Sequence, residues 1–285
     1  MQNEFFTTPD GRKLALSVFG PADGAPVLFF HGGGQTRHAW ARSGAVLGER
    51  GWRAITVDMR GHGDSDWADG YRLLDFAADV YALARAQSRK PVLVGASLGG
   101  LSSLVANSAD VQDTGEISRA LVLVDIAPRL NPAGVDRILD FMAAHSAGFA
   151  DLDEAAQAVA AYQPQRAQKG DNSGLKKNLR RHADGRWYWH WDPKMLAHFQ
   201  RVRNEVQDED RLYRAAEKLA QPVLLVRGAQ SDVIDEHITE EFRARIPQAQ
   251  VADVGGAGHM VAGDRNDVFL DAVLTFLDAL TPATA

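Results

Sequence analysis

The chain of 285 residues is 45% hydrophobic and 24% charged, with a formal net charge of -6 and no cysteine, the composition of a globular protein able to bury a sizeable core. The mildly acidic balance, without a long basic stripe, excludes an extended phosphate-neutralising surface, so nucleic acid is not an expected partner. Disulfides, thiolate metal sites and a cysteine nucleophile are excluded, and no apolar run is long enough to span a bilayer, so the expectation is a cytoplasmic protein acting on a small molecule, with no membrane partner and its oligomeric state open.

Taken in chain order, Glu4 to Thr8 and Lys13 to Phe19 flank the turn residues Pro9, Asp10 and Gly11 and read as an antiparallel hairpin at a sheet edge. Val27 to Phe30 follows as a nearly all-apolar strand, which is what a strand covered by helices on both faces requires. It runs into His31-Gly32-Gly33-Gly34, a run able to bring backbone N–H groups close to a carbonyl oxygen. Gly33 N–H is a candidate oxyanion donor, and His31 reads as a brace of this loop. Ala54 to Val57 is the next buried strand, followed by the loop Asp58-Met59-Arg60-Gly61-His62-Gly63-Asp64-Ser65 and a helical pattern over Leu73 to Ser88.

The strand Pro91 to Val94 leads into Gly95-Ala96-Ser97-Leu98-Gly99-Gly100, and a helical pattern runs from Leu98 to Ser108. Gly-x-Ser-x-Gly between strand and helix is the context of a strained turn that lifts a serine hydroxyl above the sheet. Side chains two residues before or after that serine would collide with the adjoining backbone, and Gly95 and Gly99 remove them. The helix that follows aims free N–H groups and a positive dipole end at charge developing there, which makes Ser97 the candidate nucleophile and Leu98 N–H a second oxyanion donor.

Leu121 to Val124 is another buried strand, ending at Asp125. From about Pro128 to Lys218 the strand-helix alternation stops, so the expected organisation is a catalytic domain of residues 1–127 and 219–285 with an inserted, mainly helical lid at 128–218. Within it Arg186-Trp187-Tyr188-Trp189-His190-Trp191-Asp192-Pro193 holds half of the six tryptophans. If extended, Trp187, Trp189 and Trp191 share one face, able to line an apolar pocket or to glue the lid down. Phe141, Met142, Phe149 and Phe199 are further apolar candidates, and Lys176, Lys177, Arg180 and Arg181 form a basic run that is either a solvated face or an attractor for a carboxylate-bearing substrate.

Alternation resumes with the strand Val223 to Val226, the helix Glu236 to Arg245, the strand Ala249 to Val254 and the helix Val268 to Leu280, with residues 281–285 expected to fray. His259, in a glycine-rich loop after the last strand, is the best-placed general base, since a serine hydroxyl needs an imidazole to accept its proton. The acid that orients this ring should end another strand. Asp232, in Gly228-Ala229-Gln230-Ser231-Asp232, is preferred, because the order Ser97, Asp232, His259 suits the fold; Asp125 is the rival and Asp235 a weaker one. No metal or organic cofactor is implied.

Together, His31 to Gly34, Asp58 to Ser65, Gly95 to Gly100, Gly228 to Asp232 and Gly258-His259 resemble the α/β-hydrolase superfamily, over residues 5 to 280 with the lid excepted. More narrowly they resemble the branch holding epoxide hydrolases, cofactor-free haloperoxidases, carbon-carbon bond hydrolases and small esterases. The resemblance implies a mainly parallel eight-stranded sheet flanked by helices, and a bracing role for Asp58 and Arg60. Epoxide hydrolases and haloalkane dehalogenases of this branch carry an aspartate where this chain has Ser97, so the expectation is acyl chemistry: an ester or related acyl bond of a small apolar or aromatic substrate. Carbon-carbon hydrolysis or peroxide-dependent haloperoxidase chemistry is the alternative, and a small-molecule receptor on the same fold the reading from another class.

Overall fold

The central strands owe their place to continuous apolar runs. In the computed structural model, which describes residues 1–108, 111, 116–163, 172–198, 209–259, 261 and 266–280, the strands β1 (Gln2–Thr7), β2 (Lys13–Phe19), β3 (Pro26–Phe30), β4 (Arg53–Val57), β5 (Val92–Ala96), β6 (Ala120–Val124), β9 (Val223–Gly228) and β10 (Ala249–Val254) form one sheet in the order β1-β2-β4-β3-β5-β6-β9-β10. The β1–β2 and β2–β4 pairs are antiparallel and the rest parallel.

Successive residues of a strand face opposite sides, and both sides here are apolar. Leu28, Phe30, Leu93, Leu121 and Leu123 pack on one face with α2 (Leu73–Arg85), α3 (Leu98–Ala106) and side chains of α6 (Glu209–Glu217) and α7 (Glu236–Arg245). Val27, Phe29, Val92, Val94, Val122 and Val124 pack on the other with α1 (Ala41–Glu49) and α8 (Asn266–Ala279). Burying both faces is what a parallel sheet demands.

Helix α1 carries two glycines, which disfavour a helix in isolation. Tertiary packing overrides that propensity: a Cβ on Gly44 would run into the Phe19 ring, and one on Gly48 into the backbone of Phe19 and Gly20. The glycines let α1 lie close against β2.

Between β6 and β9 the chain leaves the sheet. It forms α4 (Pro132–Ala144), capped by the Asn131 side chain, and α5 (Leu152–Tyr162), capped by Asp151. A 3-10 segment (Asn172–Lys177), the antiparallel strands β7 (Leu179–Arg181) and β8 (Trp187–Trp189), and α6 follow. This insert is helical for the most part, with a small two-stranded sheet in addition. It meets the sheet domain through specific bonds: Thr36 Oγ1 donates to the carbonyl of Lys177 at 3.0 Å, Gly63 N–H to that of His190 at 2.8 Å, and Tyr71 O–H to the Asp192 carboxylate at 2.6 Å.

Candidate active site

The turn at Ser97 is built by close backbone approach. A Cβ on Gly95 would strike the backbone of Gly99 and Gly100, and one on Gly99 the carbonyls of Phe30 and His31. Ser97 itself has φ 47° and ψ -118°, a conformation that non-glycine residues rarely hold and that recurs where function demands it. Its carbonyl accepts from Gly100 N–H at 2.9 Å and Leu101 N–H at 3.0 Å, which pins the turn to the first coil of α3.

Among the described residues the carboxylate partner of the His259 ring is Asp125. Nδ1 lies 2.8 Å from Asp125 Oδ2; because the carboxylate can only accept, Nδ1 carries the proton and Nε2 is left as the basic nitrogen. Asp125 directly follows β6, is fully buried and has φ 49°. Its Oδ1 accepts Gly228 N–H at 2.9 Å, and its Oδ2 the Ser231 hydroxyl at 2.5 Å. Ser231 Oγ in turn accepts Val233 N–H and Ile234 N–H at 3.1 and 3.2 Å.

This corrects the expectation placed on Asp232. Its carboxylate pairs with Arg137 of α4, whose side chain is 61% exposed, and not with His259. The end of β9 turns its Gly228 N–H, and the loop after it the Ser231 hydroxyl, toward Asp125, while the half-buried Asp232 faces Arg137. Asp235 is occupied as the N-cap of α7, accepting from Ile238 N–H at 2.9 Å.

On the other side of Ser97 lies the glycine loop after β3. Gly32 N–H donates to Gln35 Oε1 at 3.2 Å, and Gly34 N–H to His62 Nε2 at 3.1 Å. The N–H groups of Gly33 and Leu98 have no acceptor among the described residues. His31 braces the loop as expected: its Nδ1 donates to the Gly32 carbonyl at 2.8 Å, and its Nε2 accepts Met59 N–H at 3.0 Å. Burial, with the Arg37 cation nearby, pushes His31 down to about 4, and burial with His31 beside it pushes His62 down to about 3, so both are neutral acceptors at ordinary pH. His62 was missed in the sequence; its signal is the bracketing by Gly61 and Gly63, both at positive φ.

The expected bracing partners are in place. Asp58 is buried, accepts Asp64 N–H at 2.9 Å and pairs with Arg37, while Arg60 forks onto Asp79 with two bonds of 2.6 Å.

Ser97, Leu98, Gly33 and His259 open onto one cavity of about 590 Å³ between the sheet domain and the insert. No hydrogen bond joins Ser97 Oγ to His259 among the described residues; both line this cavity. Phe141, Met142, Trp189 and Trp191 line the cavity, and Phe141 stacks on Tyr162 with ring centroids 4.2 Å apart. Trp187 does not line it. Its backbone pairs with that of Phe149, and its ring packs on the small core that Phe149 forms with Ala155 and Leu179. Of the basic run, Lys177 lines the cavity, whereas Arg180 pairs with Asp64 at 3.2 Å. Phe199 and residues 281–285 lie outside the described residues.

A family model described as alpha/beta hydrolase fold matches residues 25–265. An esterase of Mycobacterium tuberculosis is 29% identical over 280 residues, covering 93% of this chain and 87% of its own. The 2-(acetamidomethylene)succinate hydrolase of Mesorhizobium japonicum is 29% identical over 280 residues, covering 95% and 94%. A crystal structure of an E-2-(acetamidomethylene)succinate hydrolase superimposes with a TM-score of 0.84 at 25% identity, over 98% of this chain and 99% of the other.

Proposed function

Since the chain belongs to the alpha/beta hydrolase fold family, we propose that it is a serine hydrolase that cleaves an ester or related acyl bond of a small apolar or aromatic substrate through an acyl-enzyme. The observation that carries this reading is the His259–Asp125 bond, which fixes the ring so that an unprotonated Nε2 is available in the cavity that Ser97 also lines.

In the reaction, Ser97 Oγ attacks the acyl carbonyl while His259 Nε2 takes the hydroxyl proton. Asp125 stays ionised and stabilises the imidazolium. The carbonyl oxygen, now an oxyanion, accepts the free N–H groups of Gly33 and Leu98. Collapse expels the leaving group, which takes the proton from His259, and a water activated by the same nitrogen releases the acid and restores Ser97. Residues 128–218 act as the cap over a catalytic domain of 1–127 and 219–285, with Phe141, Trp189 and Trp191 as the apolar wall that receives the substrate. The esterase among the relatives supports the ester as the first substrate class to try.

The test is kcat/KM on 4-nitrophenyl esters of increasing acyl length for the wild type and Ser97→Ala. Turnover that disappears with the serine supports acyl chemistry. A wild type inactive on every ester would overturn the ester reading in favour of carbon-carbon or peroxide-dependent chemistry.

A further inference from the structure

The charge around the cavity is unevenly settled. Its described lining holds no aspartate or glutamate, and apart from His259 its one basic side chain is Lys177. Neighbouring cations are already neutralised: Arg37 pairs with Asp58 and with Asp64 at 2.8 Å, and Arg180 with Asp64 at 3.2 Å. Lys177 has no carboxylate within ion-pairing distance among the described residues.

Its position is fixed by the backbone. Lys177 ends the 3-10 segment, and its carbonyl accepts the Thr36 hydroxyl at 3.0 Å, as does Asn178 Oδ1 at 3.1 Å. Thr36 stands three residues past Gly33, so this lysine is tethered to the loop that supplies the proposed oxyanion donor. Its side chain is exposed and free to swing, while its root is not. Burial, reinforced by the Arg37 and Lys177 cations, keeps His38 below the usual imidazole range despite Asp58 and Asp64. Among the described lining residues a substrate therefore meets mostly hydrocarbon and one ammonium without a carboxylate partner, that of Lys177.

We propose that the substrate carries a carboxylate besides its scissile acyl group, and that Lys177 binds that carboxylate while the carbonyl lies against Ser97. This rests on the serine-hydrolase reading. A single ammonium suits one carboxylate, as a point charge without the fork that a bidentate anion would use. No acid among the described lining residues opposes it.

Matched esters test it: 4-nitrophenyl hexanoate against mono(4-nitrophenyl) adipate, and the octanoate against the suberate, each pair differing by a terminal methyl for a carboxylate. The quantity read is the ratio of kcat/KM for acid over neutral ester. The wild type should favour the acid in at least one pair, and Lys177→Gln should lower that ratio about fivefold, as befits a solvent-accessible ion pair. Lys177→Glu should lower it further, added salt should shrink the wild-type preference, and Lys176→Gln, outside the cavity lining, should leave the ratio alone. A ratio unmoved by Lys177→Gln, or a wild type that prefers the neutral ester in both pairs, overturns the proposal. In that case Ser97-dependent turnover of the neutral esters would leave the serine-hydrolase reading standing. A readout free of turnover is the affinity of the Ser97→Ala protein for 6-phenylhexanoate against 6-phenylhexanol. Lys177→Gln should weaken the acid alone, and equal weakening of both overturns the proposal.

Discussion

Asp125 Oδ2 lies 2.8 Å from His259 Nδ1 and at the same time accepts the Ser231 hydroxyl at 2.5 Å. Its other oxygen takes Gly228 N–H, so the carboxylate that orients the ring is itself fixed by the loop after β9. Asp125→Asn keeps the shape but offers an amide where Nδ1–H needs an acceptor, and favours the wrong tautomer. On an ester that the wild type turns over, kcat should fall by about four orders of magnitude. Asp232→Asn removes only an exposed ion pair with Arg137 and should stay within about threefold of wild type. Comparable losses in the two variants would show that the acid has been misassigned.

Why the sequence preferred Asp232 to the aspartate that bonds His259 is instructive. Both carboxylates follow a buried strand and both satisfy the order serine, acid, histidine. What separates them is the direction of one turn: Asp125 sits immediately after β6 with φ 49°, whereas Asp232 comes after the turn of β9 has delivered Gly228 and Ser231 inward. Strand periodicity carries no information on that. The buried strands themselves were legible because hydrocarbon on two faces leaves a continuous apolar run, and the Ser97 turn because glycine is the one residue its backbone contacts permit. Helix α1 was not legible, since Gly44 and Gly48 answer to Phe19 and Gly20, far away in sequence. The tryptophan run was half legible: alternation put Trp187 and Trp189 on one face of β8, where both pack on the Phe149 core, but only Trp189 and, beyond the strand, Trp191 also line the cavity.

His62 holds the glycine loop through Gly34 N–H at 3.1 Å, one residue beyond the proposed oxyanion donor. It is fully buried and is not among the residues described as lining the cavity, so the role expected of it is that of a positioning residue. His62→Ala should lower kcat by about ten- to a hundredfold, below the hundred- to thousandfold typical of deleting a donor outright, with KM little changed. His62→Gln supplies a carbonyl acceptor and should recover most of the loss. A glutamine variant as impaired as the alanine one, with normal thermal stability, would deny the loop-bracing role.

The two half-buried aromatics singled out in the insert should behave differently. Phe141 lines the cavity against Tyr162, so Phe141→Ala should raise KM for aryl and long-chain esters more than for acetate. Trp187 packs on Phe149 away from the cavity, so Trp187→Ala should lower the melting temperature by about 4 °C or more, as loss of apolar packing does, without changing the order of preferred substrates. A changed preference in the Trp187 variant would place that ring at the substrate after all.

Acid should unfold this protein through imidazoles that burial holds neutral, His31 and His62 foremost. His31 and His62 titrate at about 4 and about 3 in the folded chain and near 6.5 once unfolded. Between those limits the unfolded chain binds more protons, so stability is fully present above about pH 6.5 and is lost as pH falls toward 4. With both rings involved, and with His190 also lowered to about 4 by burial, the loss approaches about 4 kcal/mol per pH unit. The urea midpoint should therefore be level from pH 8 to 7 and fall steeply from 6 to 4.5. His62→Gln, which keeps the acceptor and removes one titrating ring of three, should lower the slope by roughly a third. A variant slope equal to that of the wild type would mean that carboxylates, rather than these histidines, take up the protons.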